Sequence, residues 1–144
     1  MNALSNPVAY ERVTPEIFSR LVSVYDLMAS ADLPATLFPL ISLRASQINQ
    51  CAYCVNMHLK EAVAAGETEE RLGRLIVWRH VKDFTPAERA VLAWTEALTV
   101  LQPAADYEPL RAALREHFSD NQISVVTVAV AMINMWNRIQ VSKH

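Results

Sequence analysis

Glycine is nearly missing from this sequence, with two in 144 residues. No stretch alternates apolar and polar residues between hairpin turns. Together these absences exclude a hairpin-built β protein, which needs turn glycines between alternating strands. Lysine and arginine form no run, no basic patch is interleaved with aromatics, and the net charge is −2. Nothing therefore points to nucleic acid or to an anionic membrane. Two cysteines are too few for the disulfide framework of a small secreted protein. The opening stretch MNALSNPVAYERVTPE has no basic start followed by an apolar core, so it does not read as a signal peptide. The most apolar run, 123–135, contains Ser124, Thr127 and Asn134 and is too short to span a bilayer. The expectation is a soluble, cytoplasmic protein.

What is present is apolar and helical. Apolar residues make up 52% and charged residues 19%, an apolar balance for a small monomer that points to surface buried against other copies. The length is that of one ordinary domain, 1–144, able to bury a core without staples. Thr14-Pro15-Glu16 predicts a helix start ahead of an apolar stripe of Ile17, Leu21, Val24 and Leu27. A second helix is predicted from about Thr36 to Ser46, with Pro39 in its first turn. A third runs from about Asn49 to Ala65 and stops at Gly66. Thr68 opens the next segment. Thr85-Pro86-Ala87-Glu88 and Ser119-Asp120-Asn121-Gln122 read as capping boxes. Between them lies a shorter amphipathic segment, Tyr107 to Phe118. The β-branched run from Ile123 to Val130 also suits a buried strand; helix is preferred because every other element is helical. The fold class is all-α, with about six to seven helices in an oligomer.

The chemistry concentrates in SQINQCAYCVNMHLKEA, residues 46–62. Cys51, Cys54 and His58 are spaced by three, four and seven, which places them on one face of a helix. The first cysteine falls in or near the first turn, where free N–H groups favour a thiolate. A dithiol with an imidazole one turn away has the parts of a redox site. Cys54 is the better-placed partner of His58, so Cys54 is assigned to meet the oxidant and form a sulfenic acid. Cys51 then condenses with it to a disulfide. In other CxxC helices the first cysteine is the exposed one, and exposure would let Cys51 take up reducing equivalents. Three plainer readings stand beside this one. A structural zinc wants four ligands, but His80 and His117 are not spaced to join His58, and His144 is the last residue. Both cysteines could be small buried hydrophobes, and His58 a satisfied core histidine.

The longer segment LISLRASQINQCAYCVNMHLKEAVAAGE resembles the core motif of the alkyl hydroperoxidase D (AhpD)-like proteins in the carboxymuconolactone decarboxylase superfamily. The matching positions are Leu43, Arg44, Ser46 to Asn49, Cys51, Cys54, His58 and Gly66. FTPAERAVLAWTEALT and INMWNRI look like the family's later helices. The resemblance implies an all-α fold in trimers or hexamers. It also implies a peroxidase that reduces hydrogen peroxide or organic hydroperoxides. Cys54 would be peroxidatic, Cys51 resolving and His58 the proton relay. Reduction would come from a lipoyl-bearing or thioredoxin-like dithiol partner. No metal or other cofactor is assigned from the residues. Two positions depart from the pattern. Pro39 stands where the relay glutamate is expected, twelve residues before Cys51, and Gln50 stands where glycine is frequent. The relay is then built from other groups, or the activity is weaker.

Glu61 is a candidate to orient His58, and Glu88 and Glu96 are further candidate carboxylates on predicted helices; a solvated face or a cap is the preferred reading of each. Arg44 is read equally as the holder of a neighbouring carboxylate or as a surface residue. Tyr53 is expected beside the cysteines. Trp78, Trp94, Trp136, Met132 and Met135 are assigned to core or subunit interfaces. A non-catalytic redox sensor and a carboxymuconolactone decarboxylase are the alternatives, though lactone decarboxylation needs no dithiol.

Overall fold

Two capping boxes set where the longest helices of the second half begin. Thr85 Oγ1 accepts the Glu88 N–H while a Glu88 carboxylate oxygen accepts the Thr85 N–H, and Ser119 and Gln122 exchange the same pair of bonds. A computed structural model describes residues 3–144. Among these residues the chain forms α1 (Tyr10–Val13), α2 (Pro15–Met28), α3 (Leu37–Ile48), α4 (Ala52–Ala64), α5 (Glu69–Gly73), α6 (Pro86–Thr99), α7 (Glu108–Arg115) and α8 (Asp120–Val141). Three 3-10 turns complete it, at Ala3–Ser5, Ala29–Ala31 and Leu75–His80. No strand occurs among the described residues.

The β-branched run 123–130 lies inside α8, so helix wins over strand there. Its Ser119 cap and its burial of Val126, Val130 and Ile133 outweigh the weak helix propensity of valine and isoleucine. Gly66 ends the cysteine helix region at a φ of +108°, as its type allows. Two expected helix starts need correction. The helix expected from Asn49 starts at Ala52, because Gln50 turns the chain at a φ of +53° and Cys51 becomes the N-cap. Thr14 does not cap α2 with its side chain; its hydroxyl donates back to the Tyr10 carbonyl at 3.2 Å. Thr68 opens α5 as expected, its hydroxyl accepting the Arg71 N–H as the N-cap, and a 3-10 turn broken at Val77 follows.

α3 sits at the centre and packs against α4, α6 and α8. One side gives Leu37, Ile41 and Ala45 to a core with Val91 and Trp94 of α6 and Val126, Val130 and Ile133 of α8. The other gives Leu40 and Leu43 to a second core with Ala62, Leu72, Leu75, Trp78, Phe84 and Leu92. A helix buried on two sides needs apolar residues nearly all round, which is what LFPLISLRASQI supplies. Truncating Leu40 or Ile41 to alanine removes about 2–5 kcal/mol by the cavity each would leave. The stripe assigned to α2 is not buried in the same way: Ile17 and Leu27 are exposed, and Met28 is the buried residue of that helix. No helix among the described residues is long and apolar enough to cross a membrane.

Candidate active site

The turn between α3 and α4 places the two sulfurs. Asn49 ends α3, Gln50 reverses the chain, and the Cys51 N–H bonds to the Ser46 carbonyl at 3.1 Å. Cys51 Sγ then accepts the Cys54 N–H at 3.3 Å, so the sulfur itself caps α4. Cys51 and Cys54 are joined as a disulfide, with Cα atoms 5.3 Å apart.

The turn is tied to α8 by a network of amides. Asn49 Nδ2 donates to Asn134 Oδ1 and to Asn137 Oδ1, both at 2.9 Å. Asn137, fully buried, donates in turn to Ser46 Oγ at 2.9 Å. Asn134 also donates to Thr99 Oγ1 at 3.0 Å. Asn134 and Asn137 were not singled out in the sequence, yet two asparagines three apart in an apolar helix signal buried polar groups that need partners.

Both cysteines are buried, at 0% and 1% exposure. Cys54 lines a cavity of about 730 Å³, and Cys51 does not. The expected exposure of Cys51 is therefore corrected. Its sulfur points under the helix end, and Cys54 is the sulfur that borders open space. His58 and Glu61 of α4 line the same cavity. His58 Nδ1 is 2.7 Å from Glu61 Oε2. A carboxylate can only accept, so Nδ1 carries the proton, and in the neutral imidazole Nε2 is the acceptor. Pro39 of α3 is on the wall of this cavity too.

The remaining wall comes from α2 (Val22, Tyr25, Met28), the segment after it (Ala29, Leu33, Ala35), α3 (Phe38, Ser42), α4 (Tyr53, Met57) and α8 (Trp136, Gln140). Burial pushes the Tyr25 phenol above its usual 10, with Glu61 adding to the rise and Trp136 opposing it. Tyr25 is thus a neutral O–H donor at ordinary pH. Tyr53 lies at the cavity, as expected beside the cysteines. Trp136, expected in core or interface, packs against Phe18 with ring centroids 5.9 Å apart and also lines the cavity. Tyr25 and Phe38 were not recognised as wall residues, because a cavity shared by five segments leaves no local spacing signal.

The other two carboxylates are structural. Glu96 accepts from Arg44 Nε at 2.8 Å and Trp78 Nε1 at 2.8 Å, and pairs with Arg79. Burial acts to raise its carboxyl, but these donors outweigh that and hold it below the usual 4.5. Glu88 is likewise raised by burial and, more strongly, lowered by Arg71 and Thr85. Arg44 thereby takes the role of a carboxylate holder. Among the described residues no three His, Cys, Asp or Glu side chains gather to hold a metal ion.

The model of the carboxymuconolactone decarboxylase family matches residues 15–97. The chain belongs to that family, and within it is AhpD-like. It is 30% identical over 139 residues to the uncharacterized protein YdfG of Bacillus subtilis, covering 96% of this chain and 95% of that protein. A crystal structure of a protein of unknown function from Agrobacterium tumefaciens, suggested to be an AhpD antioxidant defence protein, matches at a TM-score of 0.88. Its identity is 37%, over 96% of this chain and 95% of that one. The debrominase Bmp8 shares the fold alone, at a TM-score of 0.79 and 17% identity over 90% of this chain and 70% of that one.

Proposed function

We propose that this AhpD-like protein is a CxxC peroxidase that reduces hydrogen peroxide or organic hydroperoxides. The observation that carries the reading is one cavity bordered by Cys54, itself paired with Cys51, and by a His58 that Glu61 orients. In the reduced protein His58 Nε2 takes the Cys54 proton. The Cys54 thiolate attacks the peroxide, the O–O bond breaks, and ROOH plus a proton leaves Cys54 as a sulfenic acid and ROH as product. The Cys51 thiol attacks that sulfur, forming the disulfide and releasing water.

A dithiol reductant closes the cycle. Cys51 is buried, so the first reductant thiolate attacks Cys54 through the cavity. Cys51 leaves as a thiolate that the Cys54 N–H already faces. The reductant's second thiol then resolves the mixed disulfide and frees Cys54. This route suits a dithiol on a slender arm, as on a lipoyl-bearing protein, more than the broad face of a thioredoxin-like one. We read the chain as one domain, 1–144, working in the cytoplasm as a homotrimer or homohexamer. The exposed apolar residues Val13, Ile17 and Leu27 support the assembly.

The test is one equivalent of peroxide on reduced protein, followed by intact mass and free-thiol count. Wild type is expected to lose two hydrogens rapidly as the disulfide forms. Cys51→Ser is expected to hold a trappable sulfenic acid, and Cys54→Ser to react slowly. Wild-type speed in Cys54→Ser would overturn the assignment. A second reading, a thiol–disulfide sensor, is favoured by Pro39, which gives the cavity wall no proton carrier. Multiple turnovers with a dithiol reductant separate the enzyme from the sensor.

A further inference from the structure

Cleavage of a hydroperoxide needs a proton at the oxygen that leaves. Without one, O–O cleavage releases an alkoxide, the conjugate base of an acid about as weak as water, near 15.7. Displacement at oxygen runs in line, so the leaving oxygen is directed away from Cys54 and into the cavity. Cys54, His58 and Glu61 all stand on α4, on the sulfur's own side. A donor for the departing oxygen has to come from another wall.

α2 supplies one. Val22, Tyr25 and Met28 line the cavity at spacings of three, on one stripe of that helix. The stripe is held on both sides of Tyr25. Phe18, two turns before it, packs on Trp136, and Met28, one turn after it, is buried. These anchors set the rotation of α2 and turn the phenol to the cavity. Among the described residues nothing accepts from the Tyr25 O–H. The Trp136 indole N–H faces the phenol oxygen and Glu61 is close enough to act on it, so the hydroxyl stands near the His58–Glu61 pair. Ser42 of α3 and Gln140 of α8 also line the cavity. A serine hydroxyl is as weak an acid as the leaving alcohol, and an amide is no stronger. A phenol, ionising at about 10 in water, is the stronger acid.

We propose that Tyr25 is the catalytic residue that protonates the leaving oxygen. As the Cys54 S–O bond forms and O–O breaks, the phenol gives its proton to RO and ROH departs. His58, an imidazolium since it took the Cys54 proton, returns that proton to the phenolate. The sum balances: the Cys54 thiol and ROOH become the sulfenic acid and ROH. The inference rests on the peroxidase reading and adds a reacting group from a second helix.

The experiment varies the leaving group. Reduced wild type and Tyr25→Phe are mixed at pH 7 with tert-butyl hydroperoxide or peracetic acid, and the rate constant for Cys54 oxidation is read by stopped-flow tryptophan fluorescence. The first oxidant releases an alkoxide. The second releases a carboxylate, a weak base of about 4 that needs no donor. The variant keeps the ring, and Tyr25 is 42% exposed, so loss of the hydroxyl leaves the fold intact. Tyr25→Phe is expected to slow tert-butyl hydroperoxide by about tenfold or more and peracetic acid by less than about threefold. That split upholds the proposal, because a shifted α2 would slow both alike. An equal loss for the two oxidants makes Tyr25 a wall residue only, and an unchanged rate with both assigns the proton to water; either result overturns the proposal while the peroxidase reading stands. Wild type that reacts with neither oxidant faster than free cysteine brings down both.

Discussion

The Glu61 carboxylate lies 2.7 Å from Nδ1 of His58, one turn along the same helix. This bond gives the imidazole a partner that Pro39 cannot provide. It fixes the ring's tautomer and aims Nε2 away from Glu61. Glu61→Gln keeps the size but can present an amide N–H to Nδ1, reversing the tautomer. The expected result is a fall of about 10- to 100-fold in peroxide reactivity, with thermal stability within about 0.5 kcal/mol because the side chain is half in solvent. Stopped-flow oxidation of the reduced protein checks it. An unchanged rate would remove Glu61 from the relay.

Pro39 occupies the third position of α3, on the cavity wall. A glutamate there suits a helix first turn and brings a carboxylate to the cavity. With Glu61 in place, Pro39→Glu is expected to change the oxidation rate by less than about threefold. In a Glu61→Gln background it is expected to restore about tenfold, a non-additive pair of the kind coupled groups show. Equal effects in both backgrounds would mean the two carboxylates do not serve the same imidazole.

Much of this arrangement was legible in the sequence, and the reasons differ by residue. Helix starts at Thr85 and Ser119 were legible because a capping box is a local signal. The all-α class was legible for the same reason. The meeting of Cys54 and His58 at one wall follows from a spacing of four. Cys51 was misplaced because the turn at Gln50 is a backbone choice that residue type barely signals. The stripe on α2 was read as core because periodicity identifies an apolar face without naming what covers it. Tyr25, Phe38 and Trp136 reach the cavity from three separate helices, which no single stretch records.

Gln50 carries a positive φ of 53° where the resemblance leads one to expect glycine. A residue with a Cβ is disfavoured there by about 1–2 kcal/mol, and glycine's extra freedom in the unfolded chain offsets part of that. Gln50→Gly is expected to stabilise the protein by up to about 1 kcal/mol, read from chemical denaturation midpoints. A loss of stability would mean that the Gln50 side chain holds the turn by contacts of its own.

Acid should loosen the packing of α6 against α3 and α5. Glu96 and Glu88 both stay ionised below the usual carboxyl value of 4.5 because arginines hold them against the opposing effect of burial. Their folded-state values are depressed, so the stability they contribute is complete above the unfolded value. It is lost as pH falls from about 4.5 through the folded values. Melting temperature is expected to hold from pH 7 to 5 and then fall. Glu96→Gln, which leaves Arg44 and Arg79 without their carboxylate, is expected to lose about 1–3 kcal/mol at pH 7. Its acid limb should be shallower than wild type. Parallel limbs would assign the acid loss to other groups.

Asn137 offers the sharpest separation of scaffold from chemistry. It is fully buried, bonds Ser46 Oγ and accepts from Asn49, and so holds both ends of the turn that presents Cys51. Asn137→Ala removes both bonds and leaves Asn49 and Ser46 their other partners, Asn134 and the Ser42 carbonyl. The expected stability loss is about 1–3 kcal/mol. A second effect should appear in folded protein well below its melting point. Cys51 is less firmly placed, so condensation with the Cys54 sulfenic acid slows while formation of that acid does not. A sulfenic-acid trap added during peroxide treatment is expected to label Asn137→Ala several-fold more than wild type. Label equal to wild type, with stability lowered, would make the asparagine a support of the fold with no share in resolving the acid.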